Sequence, residues 1–263
     1  MEPTRSSRGV SQRHVRRMLS CLAAASLCAS VSRAQIPEGK LLASDGQPLD
    51  RFGTSVALLP DWAFCGAPFA DPLGSASGAV YVSQRNGTQW VAAQKIILGD
   101  AYELAGYSVA ASGSWMVAGA LNADQPGSTS GMVYVFQLQG GAWLQTQQLS
   151  PNAFKFGGCV ALSGDRMIVG NVPGYFSGVA FVYELSGSTW VQAAQLDWPS
   201  SSTPYSFGSA VDIDGDVAVV GSCNDGLGVG GSNQGAAYVY ERGPTGVWSL
   251  TQTLIARDHK VAD

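Results

Sequence analysis

The sequence predicts an all-β chain folded as a β-propeller of four-stranded antiparallel blades, and three observations predict it. The segment RFGTSVAL, beginning at Arg51, returns as AGYSVAAS at Ala105, KFGGCVAL at Lys155 and SFGSAVDI at Ser206. Each return is followed by three further strand-like runs in the same order. Beyond the first 34 residues no stretch carries the periodicity of an amphipathic helix. A repeat of this length with four strands per unit points to a propeller with one blade per unit.

The repeats run at about 41–96, 97–149, 150–197 and 198–254. In RFGTSVAL, Phe52, Thr54, Val56 and Leu58 share one face, and Gly53, Ser55 and Ala57 the other. A small face allows close sheet-to-sheet approach, and a large face fills the gap to the other neighbour. Both faces are thus expected to be buried. The second runs are WAFCGAP, WMVAGAL, MIVGNVP and VAVVGSC, the third GAVYVSQ, GMVYVFQ, GVAFVYE and GAAYVYE. Each unit closes with a tryptophan strand: WVAAQKI, WLQTQQL, WVQAAQL and WSLTQTL. Turn residues separate the runs, with Asn86-Gly87 and Gly140-Gly141 preceding two of the tryptophans. Such pairs accept positive φ and close tight hairpins. Trp90, Trp143, Trp190 and Trp248 hold one repeated position, which predicts packing between blades.

The longest irregular segments join the second and third strands: 69–77, 122–130, 174–177 and 224–234. They would lie together on one rim, where contacts with a partner are expected. The final segment LIARDHKVAD (254–263) aligns with LLASDGQPLD (41–50), which leads straight into Arg51. The expectation is the start of a fifth unit, in an array longer than four blades. A four-bladed ring and closure by self-association are the alternatives.

Phe52-Gly53 followed by Gly66-Ala67-Pro68 resembles the FG…GAP pair of the FG-GAP repeat family. Phe156-Gly157 and Phe207-Gly208 keep the first half. Ala105-Gly106 departs from it, and Gly119-Ala120-Leu121, Gly170-Asn171-Val172-Pro173 and Gly221-Ser222-Cys223 are looser versions of the second. The family includes the integrin α propeller and many secreted bacterial proteins. The resemblance implies a propeller used for protein or glycan contact. In several relatives a D-x-[DN]-x-D-G-x-x-D loop between the first two strands binds calcium. The matching connections here are tight turns without that ligand set.

Composition narrows the partners. Residues 1–34 join a basic stretch, an Ala/Leu-rich run too short to span a bilayer, and a small-residue site at Ser32-Arg33-Ala34. They read as a secretory signal peptide, and Arg16-Arg17 leaves twin-arginine export open. Residues 35–263, the propeller domain, hold nine basic and 18 acidic residues, a net charge of −9. That excludes nucleic acid and an anionic membrane surface as favoured partners. No membrane insertion is expected after signal cleavage, and the localisation would be secreted, periplasmic or cell surface. Cys65, Cys159 and Cys223 allow at most one internal disulfide, and small buried thiols explain them equally well.

Asp212, Asp214 and Asp216 form the nearest approach to a cation site. Calcium needs six to eight oxygens from a loop that wraps it. Asp214-Gly215 reads as a hairpin turn, so a solvated acidic turn and no cofactor are expected, with calcium as the alternative. The only histidine after residue 34 is His259, which leaves a Ser-His-Asp triad without a base. No acid recurs at a fixed strand position. Tyr175, Phe176 and Trp198 fall outside the repeat and are the candidate binding aromatics. The expected function is therefore an exported non-catalytic binding or adhesion module, contacting protein or glycan at the cell surface through rim loops. A structural extracellular scaffold and a propeller glycosidase or lyase are the alternatives.

Overall fold

The computed structural model describes residues 40–123, 130–151, 153–171, 178–198, 205–225 and 235–256. The expected signal segment and the 254–263 match beyond residue 256 lie outside them. The chain divides into 1–40 and 41–263, and the strands all belong to the second unit.

Sixteen strands form four antiparallel sheets of four. The first sheet holds β1 (Ser55–Leu58), β2 (Trp62–Ala67), β3 (Ala79–Asn86) and β4 (Gln89–Ile97). The second holds β5 (Ala105–Ser112), β6 (Trp115–Ala120), β7 (Met132–Gln139) and β8 (Ala142–Leu149). The third holds β9 (Phe156–Ser163), β10 (Arg166–Asn171), β11 (Ala180–Ser186) and β12 (Thr189–Leu196). The fourth holds β13 (Tyr205–Asp214), β14 (Val217–Asn224), β15 (Ala236–Arg242) and β16 (Trp248–Leu254). Strand order follows sequence order within each sheet, as short hairpins dictate. A register shift recurs between the third and fourth strands of every sheet, at Val82/Ser83, Val135/Phe136, Val182/Tyr183 and Val239/Tyr240.

Each sheet packs on the next through its neighbour's first strand: β1 and β2 on β5, β5 and β6 on β9, β9 and β10 on β13. The small face of each first strand looks forward along this series and the large face looks back. Thus Ala57 joins the core shared with Val109 and Ala111, and Ala110 joins the core shared with Val160 and Leu162.

The FG and GAP elements meet at these junctions. The FG glycines Gly106, Gly157 and Gly208 adopt φ near +83°, and the residues two before them, Leu104, Lys155 and Ser206, are also left-handed. This turn points each FG carbonyl back at the preceding sheet. A Cβ on Gly66, Gly119 or Gly170 would overlap the carbonyl of Gly106, Gly157 or Gly208 respectively. The glycine of one blade's GAP is therefore the seat for the next blade's FG. The same carbonyls accept hydrogen bonds from Ser55 Oγ (2.7 Å), Ser108 Oγ (2.7 Å) and Cys159 Sγ (2.9 Å).

The tryptophans pack between blades, each against the preceding one. Trp143 stands edge-on to Trp62 and Phe64 of the first sheet, and Trp190 edge-on to Trp115 of the second. Both are almost wholly buried, and Trp248 sits in the cluster with Ile168 of the third sheet. Removing such a ring costs about 3–5 kcal/mol. Trp90 belongs to the first sheet and remains half-exposed. A second tie crosses two junctions. The Gln94 amide donates to the Trp143 carbonyl (2.9 Å) and accepts from the Trp143 N–H (3.0 Å). Gln147 does the same to Trp190, at 2.8 and 2.9 Å.

Candidate functional site

The turns between first and second strands lie at one end of the sheets, and the long second-to-third connections at the other. Both ends carry paired and unpaired charges: Lys95 pairs with Asp45 (2.6 Å) at the loop end, and Arg85 at the turn end makes no ion pair among the described residues. At the turn end Arg166 pairs with Asp165 (2.7 Å) and Asp216 (3.0 Å), and Arg242 pairs with Glu184 (2.7 Å). At the loop end Arg51, Asp71 and Asp100 make no ion pair among the described residues.

The loop end is built around 69–78. Asp71 Oδ1 accepts the Ala76 N–H at 2.6 Å, and Ser77 Oγ accepts the Leu73 N–H at 3.1 Å. The loop is then tied to the 99–105 segment, which leads into β5. Tyr102 N donates to Ser75 O (2.7 Å), Leu104 N to Ala76 O (3.0 Å) and Ala105 N to Ser77 O (3.1 Å). At its start, Phe69 N donates to Asp50 O (3.3 Å), and the Arg51 guanidinium lies 4.3 Å from the centre of the Phe69 ring. Arg51, Asp71, Asp100 and Tyr102 are all exposed on the segments joined by this loop. The Tyr134 hydroxyl donates to Glu103 at 3.0 Å. Burial, then the Glu103 and Asp100 charges, push its pKa well above the ordinary tyrosine range. The Asp100 carboxylate has no hydrogen-bond partner among the described residues. It can act as a proton acceptor, while Asp71 holds its loop together.

The residues singled out in the sequence are dispersed. Asp212 accepts the N–H of its neighbour Ile213, Asp214 accepts from Ser163 Oγ, and Asp216 pairs with Arg166. Among the described residues no cluster of three His, Cys, Asp or Glu side chains could hold a metal ion. Trp198 is half-buried against the core shared by the third and fourth sheets. Tyr175 and Phe176 lie outside the described residues, as do most of 122–130 and 224–234 and all of 174–177. Among the described residues Cys65, Cys159 and Cys223 are free thiols, and Cys223 is exposed rather than buried, at the end of β14. Sequence reasoning passed over Arg51, Asp100 and Tyr102. The signal available was GDAYEL (99–104), which aligns with GQPLDR (46–51) before the first repeat but puts Tyr102 where that segment has Leu49.

No curated protein sequence matches the chain. Among solved structures it resembles the periplasmic gluconolactonase of Pseudomonas aeruginosa, at 15% identity and a TM-score of 0.51, covering 80% of this chain and 59% of that one. It also resembles a Bacteroides uniformis protein described as a candidate 6-phosphogluconolactonase, at 13% identity and a TM-score of 0.51, covering 83% and 59%. The chain spans about three-fifths of the length of these structures. At such identity the likeness shows the fold.

The comparison nonetheless corrects the functional expectation. The propellers that the chain resembles are described as lactonases, which stands against a non-catalytic binding or adhesion module and against the expectation of no enzyme. The glycosidase or lyase alternative is closer to this finding. The described residues of the chain hold no histidine, and no acid holds one strand position in all four blades. Hydrolysis of an activated ester needs neither, because a single non-repeating carboxylate on a rim loop can supply the base. The model of the FG-GAP repeat matches residues 37–83, 90–136 and 190–240, together more than half of the sequence. With its FG turns seated on GAP glycines at three successive junctions, the chain belongs to the FG-GAP repeat family.

Proposed function

We propose that this protein is an exported propeller hydrolase that opens the ring ester of a sugar-derived lactone at the loop end of its first two blades. The observation that carries the reading is an exposed carboxylate held by a fastened loop next to an exposed aromatic ring. Asp100 and Tyr102, two residues apart, are both exposed on the segment that the 69–78 loop grips by three backbone hydrogen bonds, and Arg51 is exposed at the start of the same loop. The likeness to two propellers described as lactonases supports the substrate class, and the description of one as periplasmic fits the signal-like residues 1–34.

In this reading Asp100 takes a proton from water as the water oxygen bonds to the lactone carbonyl carbon. Arg51 is the cation available to the negative charge that develops on the carbonyl oxygen. The ring C–O bond then breaks, and the departing alkoxide recovers a proton to give the open hydroxy acid. Tyr102 offers a face on which a sugar ring can stack.

Proton release from glucono-δ-lactone, followed in a pH-stat against the spontaneous rate, tests the reading. The protein should accelerate ring opening. Asp100→Asn should lower kcat by about 100-fold or more with little change in KM. Asp71→Ala, which removes the acceptor of the Ala76 N–H and loosens the loop, should raise KM instead. Absence of acceleration over the spontaneous rate, or an Asp100→Asn variant as active as the parent, would overturn it.

A further inference from the structure

We propose that the junction between the third and fourth blades is a salt-sensitive seam, at which the array opens locally while the two junctions before it stay closed. The basis is that this junction exchanges the three ties used at the other two for ion pairs that cross it at the turn end.

At the first two junctions the ties are uncharged. A serine hydroxyl, Ser55 or Ser108, donates to the FG carbonyl of the next blade. A glutamine amide, Gln94 or Gln147, grips both backbone groups of the next blade's tryptophan. A second-strand tryptophan, Trp62 or Trp115, meets that same tryptophan edge-on. No ion pair between described residues crosses either junction.

The third junction keeps its apolar packing, with Ile168, Phe207, Val220 and Trp248 in one cluster, but changes all three ties. Cys159 stands for the serine and donates through a thiol, a weaker donor. Ala194 lies opposite Val182, where Gln94 lies opposite Val82 and Gln147 opposite Val135, so no amide reaches the Trp248 backbone from this position. Arg166 lies opposite Glu184, where Trp62 and Trp115 lie opposite Gln84 and Gln137. These two charges reach across to the fourth blade. Arg166 pairs with Asp216 at 3.0 Å, and Glu184 accepts from Arg242 at 2.7 and 3.3 Å.

Such a network responds to salt where the uncharged ties do not. The Asp216 side chain is 59% exposed, so dissolved ions reach it. The screening length falls from about 10 Å at 0.1 M salt to about 3 Å at 1 M, which removes most of the attraction between exposed charges. Arg166 Nε is buried without a partner, which weakens the junction further. Segments held by the fewest fixed ties are those that open short of global unfolding.

Cys159 reports the opening, because its thiol lies at the junction under the Gly208 carbonyl. Burial pushes it up to about 12, so it reacts slowly while the junction is closed. The test is the alkylation rate of Cys159 in the full chain, read by peptide mass spectrometry in 0.1 M and 1 M NaCl. The rate should rise by about fivefold or more in high salt, as the open population grows. The thiol introduced by Ser108→Cys, at the matching place in the second junction, should change by less than about twofold. Glu184→Gln should raise the Cys159 rate at 0.1 M NaCl and remove most of its salt response, with circular dichroism confirming the fold. Ala194→Gln, which supplies the missing amide grip, should slow Cys159 by about threefold or more. A Cys159 rate indifferent to salt, an equal rise at both junctions, or a Glu184→Gln variant that behaves as the parent would overturn the proposal.

Discussion

Ser55, Ser108 and Cys159 show how one hydrogen bond per junction fixes blade spacing. Each side chain sits over a GAP glycine and donates to an FG carbonyl that has no other strand to pair with. Ser108→Ala should lower stability by about 1–3 kcal/mol, because the Gly157 carbonyl is left buried without its donor. Ser108→Cys should cost less, since the third blade uses cysteine in this role. Urea unfolding of the two variants measures the difference, and equal losses would remove the hydrogen bond as the cause. The FG and GAP residues were legible in the sequence, because a glycine needed for positive φ and a glycine needed for close approach must recur in every blade. The roles proposed for Arg51 and Asp100 were not, because a group needed only once leaves no period to detect.

At the scale of the strand, the fourth strand of the second blade does two jobs from one motif. Trp143 fills the core of the junction behind, and Gln147, four residues on, grips the junction ahead. Trp90–Gln94, Trp143–Gln147 and Trp248–Gln252 carry both members, while Trp190 is followed by Ala194. The spacing was visible in the sequence, but the use of the glutamine was not. Only the register shift before it turns its amide out of the ladder toward the neighbouring blade. Gln147→Ala should lower stability by about 1–3 kcal/mol through the two lost bonds. It should also speed exchange of the Trp190 amide hydrogen, whose acceptor is the Gln147 side chain. The corresponding Gln252→Ala change should leave the stability within about 0.5 kcal/mol of the parent, as expected for an exposed side chain. A loss at Gln252 equal to that at Gln147 would contradict the assignment of these roles.

For the whole molecule, the tyrosines and thiols between the sheets set the pH range over which the blades hold together. Burial pushes the Cys159 thiol up to about 12, and burial pushes Tyr183 and Tyr240 to about 12 as well. In the unfolded chain these groups ionise at their ordinary values of 9.0 and 10.0, so there the unfolded state loses protons that the folded state keeps. Their folded pKa values are raised. The stability tied to the neutral forms is therefore complete below pH 9 and declines as pH rises from 9 toward 12. The urea midpoint should accordingly fall over this alkaline window. Tyr183→Phe should flatten part of the fall, because phenylalanine keeps the ring and cannot ionise. Cys159→Ser should flatten it further while preserving a donor to the Gly208 carbonyl. A midpoint independent of pH between 9 and 11, or an unchanged slope in both variants, would show that these groups are solvated in the folded state and that the junctions are looser than their packing indicates.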